Sequence, residues 1–104
     1  MTARVMVFAK IAEVDGPAFE QAYLEVTERM RGTAGLVGDE LLRVADGSGD
    51  YVLLSTWESM ELFRAWEDGA DHRQISAPMR PYWSGSFERR IYDLAARLES
   101  DPGS

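Results

Sequence analysis

The sequence predicts an α+β domain with the element order β-α-β-β-α-β, a split βαβ arrangement in which four antiparallel strands carry both helices on one face. Three observations predict it. The hydrophobic period changes from strand to helix within one stretch: Tyr51–Trp57 is a run of strand length, and Leu62, Phe63, Trp66 and Ala70 then recur on one helical face. Between two strand-like runs, Asp46-Gly47-Ser48-Gly49-Asp50 is a chain reversal with two glycines available for positive φ, so those runs pair as a hairpin. A second helical stripe, Phe19, Ala22, Tyr23, Val26 and Met30, separates this hairpin from an earlier strand.

The first strand is expected over Arg4–Glu13, where Val5, Val7, Ala9 and Ile11 alternate with Met6, Phe8, Lys10 and Ala12. Both sets are mostly apolar, so this strand requires cover on both faces. Asp15-Gly16-Pro17 breaks the chain and starts a helix, with Asp15 as its cap and Pro17 in its first turn, where no amide donor is missed. That helix is expected to run from about Pro17 to Arg31, with Glu20, Gln21, Glu25, Glu28 and Arg29 facing water, and to end at Gly32. A glycine-rich connection leads into a second strand, Asp39–Ala45, whose alternation charged residues weaken. The third strand is Tyr51–Trp57. Ser59 then sits where its hydroxyl can cap the second helix, and Gly69 stops that helix. From Arg73 to Ser86, Pro78 and Pro81 lie too close together for a long helix, so a short helical turn and a lid-like loop are expected. Phe87–Leu94 supplies the fourth strand, and the tail 95–104 is expected to fray.

With 104 residues, 45% of them apolar and 11% aromatic, the chain supports one domain with a two-layer core, expected over about residues 4–94. Eighteen acidic residues against 11 basic give a net charge of −7, which opposes binding to nucleic acid or an anionic membrane. The absence of cysteine excludes disulfides, thiolate metal sites and thiol catalysis, and a single histidine excludes a multi-histidine metal site within one chain. No basic segment followed by an apolar stretch opens the chain, and no apolar run approaches about 18 residues, so a cytoplasmic protein is expected. Phosphate loops, dinucleotide fingerprints and serine elbows are absent. The uncovered face of the sheet leads to the expectation of a homodimer joined through sheet faces.

The order of elements, the phrase STWES at Ser55–Ser59, ELFRAW at Glu61–Trp66 and DHR at Asp71–Arg73 resemble the antibiotic biosynthesis monooxygenase family. The resemblance covers about Arg4 to Leu94. It implies a dimeric ferredoxin-like α/β barrel, and as function a cofactor-independent monooxygenase acting with dioxygen on an aromatic, polyketide-type phenol or anthrone-like intermediate. Two alternatives stay open: a haem-binding or haem-degrading protein, and a non-oxidative cyclase-like or ligand-binding dimer.

By resemblance Trp66 lines the ligand pocket, although the same position suits an ordinary core tryptophan. His72 falls in the region where haem-degrading relatives place their iron ligand; it would otherwise serve as a base for a phenol, or be a solvated loop residue. The chain departs from the family in having no asparagine, the residue these oxygenases use to hold substrate or oxygen. Arg80, Tyr82, Arg43 and Gln74 are the candidate replacements. The catalytic set is therefore His72, Trp66 and Arg80, with Trp57, Tyr51, Phe63, Tyr82 and Trp83 as aromatic walls. No metal and no cofactor are expected, with haem on His72 as the alternative.

Overall fold

The computed structural model describes residues 2–69, 75–82 and 87–98. Four strands, β1 (Ala3–Lys10), β2 (Leu36–Arg43), β3 (Asp50–Trp57) and β4 (Phe87–Asp93), form one antiparallel sheet in the order β2-β3-β1-β4. Helices α1 (Gly16–Met30) and α2 (Met60–Asp68) complete the α+β ferredoxin-like order. β1, apolar on both faces, takes a central place between β3 and β4. Its residues Ala3, Val5 and Ala9 are buried under the helices, while Met6 and Phe8 point to the other side and are half-buried. The strand ends at Lys10 rather than Glu13, because Glu13–Asp15 coil into a 3-10 turn closed by the Asp15 amide on the Ala12 carbonyl at 2.8 Å.

α1 buries Phe19, Ala22, Tyr23, Val26 and Met30 along a single stripe. It starts with Pro17 in its first turn, and Asp15 makes no side-chain cap bond. α2 is capped by Ser59, whose Oγ accepts from the Leu62 amide at 3.2 Å. After the gap in the described residues, Ala77–Tyr82 is a 3-10 segment packed against α1. Met79 is buried there, and the Tyr82 ring meets Phe19 nearly edge-on at 6.3 Å.

β2 begins at Leu36, three residues before Asp39, the expected start of this strand. A bulge explains the difference. Leu36 pairs with Trp57 and Gly38 with Thr56, so Val37 is an extra residue, 62% exposed, opposite no partner of its own. Unbroken alternation from Leu36 would send Gly38 and Glu40 to the helix side; the bulge instead sends Asp39, Leu41 and Arg43 there. Just before it, Gly35 holds φ +85° and lies against the Leu62 side chain, 2.6 Å from where a Cβ would stand. No described helix is long and apolar enough to cross a membrane.

Candidate functional site

Between the helix-bearing face of the sheet, α1, α2 and the Ala77–Tyr82 segment lies a cavity of about 730 Å³, within the range of roughly 300–1,000 Å³ typical of small-molecule sites. Its walls are mostly apolar. Val5, Val7 and Leu53 come from the sheet, Val26 and Met30 from α1, and Phe63 and Trp66 from α2. β-strand alternation and the helical stripe aim all of these at the same space.

Three aromatic rings form one wall. Trp57 at the end of β3 lies 5.4 Å from Trp66 and 5.5 Å from Phe63 between ring centroids, and Phe63 lies 6.4 Å from Trp66. Trp57 has no solvent-accessible surface and Phe63 only 2%. They therefore back the wall, while half-buried Trp66 presents a ring to the cavity. The Trp57 indole is fixed by donating Nε1–H to Ser55 Oγ at 3.0 Å.

Among the described residues the polar lining is sparse. Tyr23 on α1 donates its phenolic hydrogen to Asp39 Oδ1 on β2 at 2.7 Å, tying helix to sheet inside the cavity. Burial pushes the Asp39 carboxyl up to about 6; the Tyr23 hydrogen bond works against this, and neighbouring Glu40 adds to it. Burial and the Asp39 carboxylate push the Tyr23 phenol well above its ordinary value, so it remains a donor across the working pH range. Arg80 lines another part, with Nη2 3.5 Å from Ser76 Oγ, and Arg89 of β4 forms an ion pair with Glu67 of α2. Among the described residues, no cluster of three or more histidine, cysteine, aspartate or glutamate side chains is placed to hold a metal ion.

The structure thus brings together Trp66, Phe63, Trp57 and Arg80 from the expected set. Tyr51 and Tyr82 stand elsewhere. Tyr51 is buried against Phe19 at 5.2 Å, with its hydroxyl donated to Glu20 Oε2 at 2.6 Å, and Arg43 joins this group 3.5 Å from Glu20. Neither Tyr51 nor Arg43 lines the cavity, and Tyr82 fills the contact with Phe19. His72, Gln74 and Trp83 lie outside the described residues. The pair Tyr23 and Asp39 was not legible as a site from periodicity. The available signal was a phenol on the buried stripe of α1, since a buried tyrosine hydroxyl requires a partner.

The family model for antibiotic biosynthesis monooxygenases matches residues 2–78. Protein SchA of Streptomyces halstedii is 27% identical over 104 residues, a match spanning 98% of this chain and 27% of SchA. A mycobilin-producing heme oxygenase of Mycobacterium tuberculosis is 33% identical over 54 residues, 52% of this chain and 51% of the oxygenase. The chain thus spans about a quarter of SchA and matches about half of the heme oxygenase. Among solved structures, SnoaB of Streptomyces nogalater, a cofactor-independent oxygenase, superposes with a TM-score of 0.77 at 18% identity, covering 95% of this chain and 97% of SnoaB. A candidate antibiotic biosynthesis monooxygenase from Caulobacter crescentus superposes with a TM-score of 0.78 at 19% identity, covering 91% of each chain.

Proposed function

Because the chain belongs to the antibiotic biosynthesis monooxygenase family, we propose that it is a cofactor-independent monooxygenase oxidising an aromatic, polyketide-type phenol or anthrone-like intermediate with dioxygen. The observation that carries this reading is the cavity, apolar over most of its wall, floored by packed aromatic rings and polar at a few points only. SnoaB, which shares the fold, is a cofactor-independent oxygenase. A homodimer is part of the same reading.

The chemistry requires no external reductant. An anthrone methylene loses a proton, and the carbanion gives one electron to dioxygen; the radical and superoxide join at carbon, and the hydroperoxide loses water to leave a carbonyl. Four-electron oxidation of the carbon balances four-electron reduction of dioxygen, one oxygen atom being retained and one leaving as water. The protein has to exclude water, hold the ring plane and stabilise the oxyanion that delocalises the carbanion. Trp66 offers a ring for stacking, and the Arg80 guanidinium is the donor for the oxyanion. His72, one candidate base from the sequence, lies outside the described residues.

The test is dioxygen uptake by dialysed protein with anthrone as probe and chelator present. Anthraquinone formed in equal amount to the dioxygen consumed, at a rate well above that without protein, is expected; uptake no faster than the blank removes the reading.

Haem is the second reading, favoured by the stretch shared with the heme oxygenase. A histidine-ligated haem would be held by His72, the single histidine of the chain, which lies outside the described residues, while the Tyr23 phenol is committed to Asp39. A Soret band that titrates to one haem per chain would support this reading.

A further inference from the structure

We propose that Asp39 is a catalytic base of this cavity, held in place by Tyr23 as a positioning residue, and that it takes the acidic proton of the aromatic substrate. The inference rests on the reading of the cavity as an aromatic-substrate site.

Geometry supports it first. The bulge at Val37 turns Asp39 to the helix side of the sheet, where a regular strand continuing from Leu36 would have placed Gly38 and Glu40. Bulges next to functional sites commonly re-aim a side chain in this way. The carboxylate is then held by Tyr23 through Oδ1, and no hydrogen bond to Oδ2 is present among the described residues. One oxygen is fixed, and the other remains available to a ligand in the cavity that Asp39 lines.

A carboxylate lifted by burial to about 6 is also a stronger base than an exposed one, and still ionised at neutral pH. Among the described residues, the charged and titratable groups sharing the cavity are Tyr23 from α1, Glu67 from α2, Arg80 from the 3-10 segment and Arg89 from β4, with Glu40 next to Asp39 on its own strand. Arg80 supplies positive charge toward which substrate anion can develop, while the charge of Arg89 is met by Glu67.

The proton account closes on Asp39 alone. The carboxylate takes one proton as the carbanion forms and becomes a carboxylic acid. It returns that proton to the peroxide anion formed when dioxygen adds at carbon. It then takes the second C–H proton as the O–O bond breaks, and passes it to the departing hydroxide, so that water leaves and the carboxylate is restored.

The experiment compares wild type, Asp39→Asn and Tyr23→Phe. With anthrone, Asp39→Asn is expected to lower kcat by roughly 10²–10⁴ and to remove the acid limb of the wild-type profile near pH 6. Tyr23→Phe keeps the carboxylate but loses the bond that holds its pKa down, so its acid limb moves to higher pH. Turnover of Asp39→Asn within about twofold of wild type, or an acid limb unmoved in both variants, overturns the proposal.

Binding separates this failure from that of the proposed function. Tryptophan fluorescence is titrated with 2-hydroxyanthraquinone and with anthraquinone, which lacks the hydroxyl. Wild type is expected to favour the hydroxylated ligand by about tenfold or more, as for a hydrogen bond to a charged group, and Asp39→Asn to lose that ratio. If no anthrone is turned over, the oxygenase reading fails, and the binding ratio alone decides whether Asp39 engages the acidic hydroxyl. An equal ratio in both proteins overturns that role too. Should Asp39→Asn not fold, Tyr23→Phe decides by the position of its acid limb, or by its binding ratio where there is no turnover.

Discussion

At Asp39, pH couples to stability with a definite sign. Burial raises this carboxyl from 3.8 to about 6, so the folded chain holds a proton there that the unfolded chain has released between those values. Folding stability from this group is therefore greatest below about pH 4, falls as pH rises through about 6, and stays low above it, by at most about 3 kcal/mol. Asp39→Asn is expected to flatten that part of the profile. Urea midpoints at pH 4.5 and 7.5 check it: a difference between wild type and variant that stays constant between the two pH values contradicts a raised carboxyl. Trp66 makes the companion case. Trp66→Phe should keep the fold, since Trp57 and Phe63 still pack behind it, and should weaken 2-hydroxyanthraquinone binding or anthrone turnover. A lower melting temperature with unchanged binding and turnover would return Trp66 to the core. These two residues differ in how readable they are. Trp66 lies on a regular helical stripe, whereas the role of Asp39 depends on a partner sixteen positions away and on a bulge, neither of which hydrophobic period encodes.

At the scale of elements, what could be read from the chain is what local periodicity controls. The reversal at Asp46–Asp50, the Ser59 cap and the switch from strand to helix after Trp57 are local features, and the structure has each where expected. The start of β2 is not local: Leu36 and Gly38 belong to the strand because β3 pairs with them, with unpaired Val37 bulged between them and the alternation broken there. Tyr51 illustrates the same limit from the other side, since alternation places it on the helix side but not at which end of that side the cavity opens. The connection entering β2 also carries a steric requirement. At Gly35, any side chain would need positive φ and would meet Leu62 at 2.6 Å. Gly35→Ala is expected to cost roughly 2–5 kcal/mol, combining backbone strain with overpacking, and to disturb the docking of α2. A urea midpoint giving a loss under about 0.5 kcal/mol would show that the α2 contact yields easily.

Across the whole molecule, the face of the sheet away from the helices sets the remaining requirement. The pairing registers place Met6 and Phe8 of β1, Val52 and Leu54 of β3, Leu42 of β2 and Tyr92 of β4 on it. Leu42 and Tyr92 are 42% and 41% exposed, and no described element covers this face. An apolar sheet face of this kind left in water favours association. The chain as a whole carries a charge of −7, which opposes bringing two copies together, but this face is balanced: Arg4, Lys10 and Arg90 stand beside Glu40, Asp50 and Glu88. Repulsion is therefore not concentrated where contact would occur, and a two-fold pairing of like faces can oppose cations to anions around an apolar centre. A homodimer through this face is expected, burying roughly 2,000 Å² or more in total. Leu54, between Met6 on one side and Glu40 on the other, is near the centre of the sheet, so Leu54→Glu should convert the dimer to a monomer or a poorly folded chain. Light scattering on the eluted wild-type protein at micromolar concentration checks the parent state, and a stable, folded species with the mass of a single chain would remove this face as an interface.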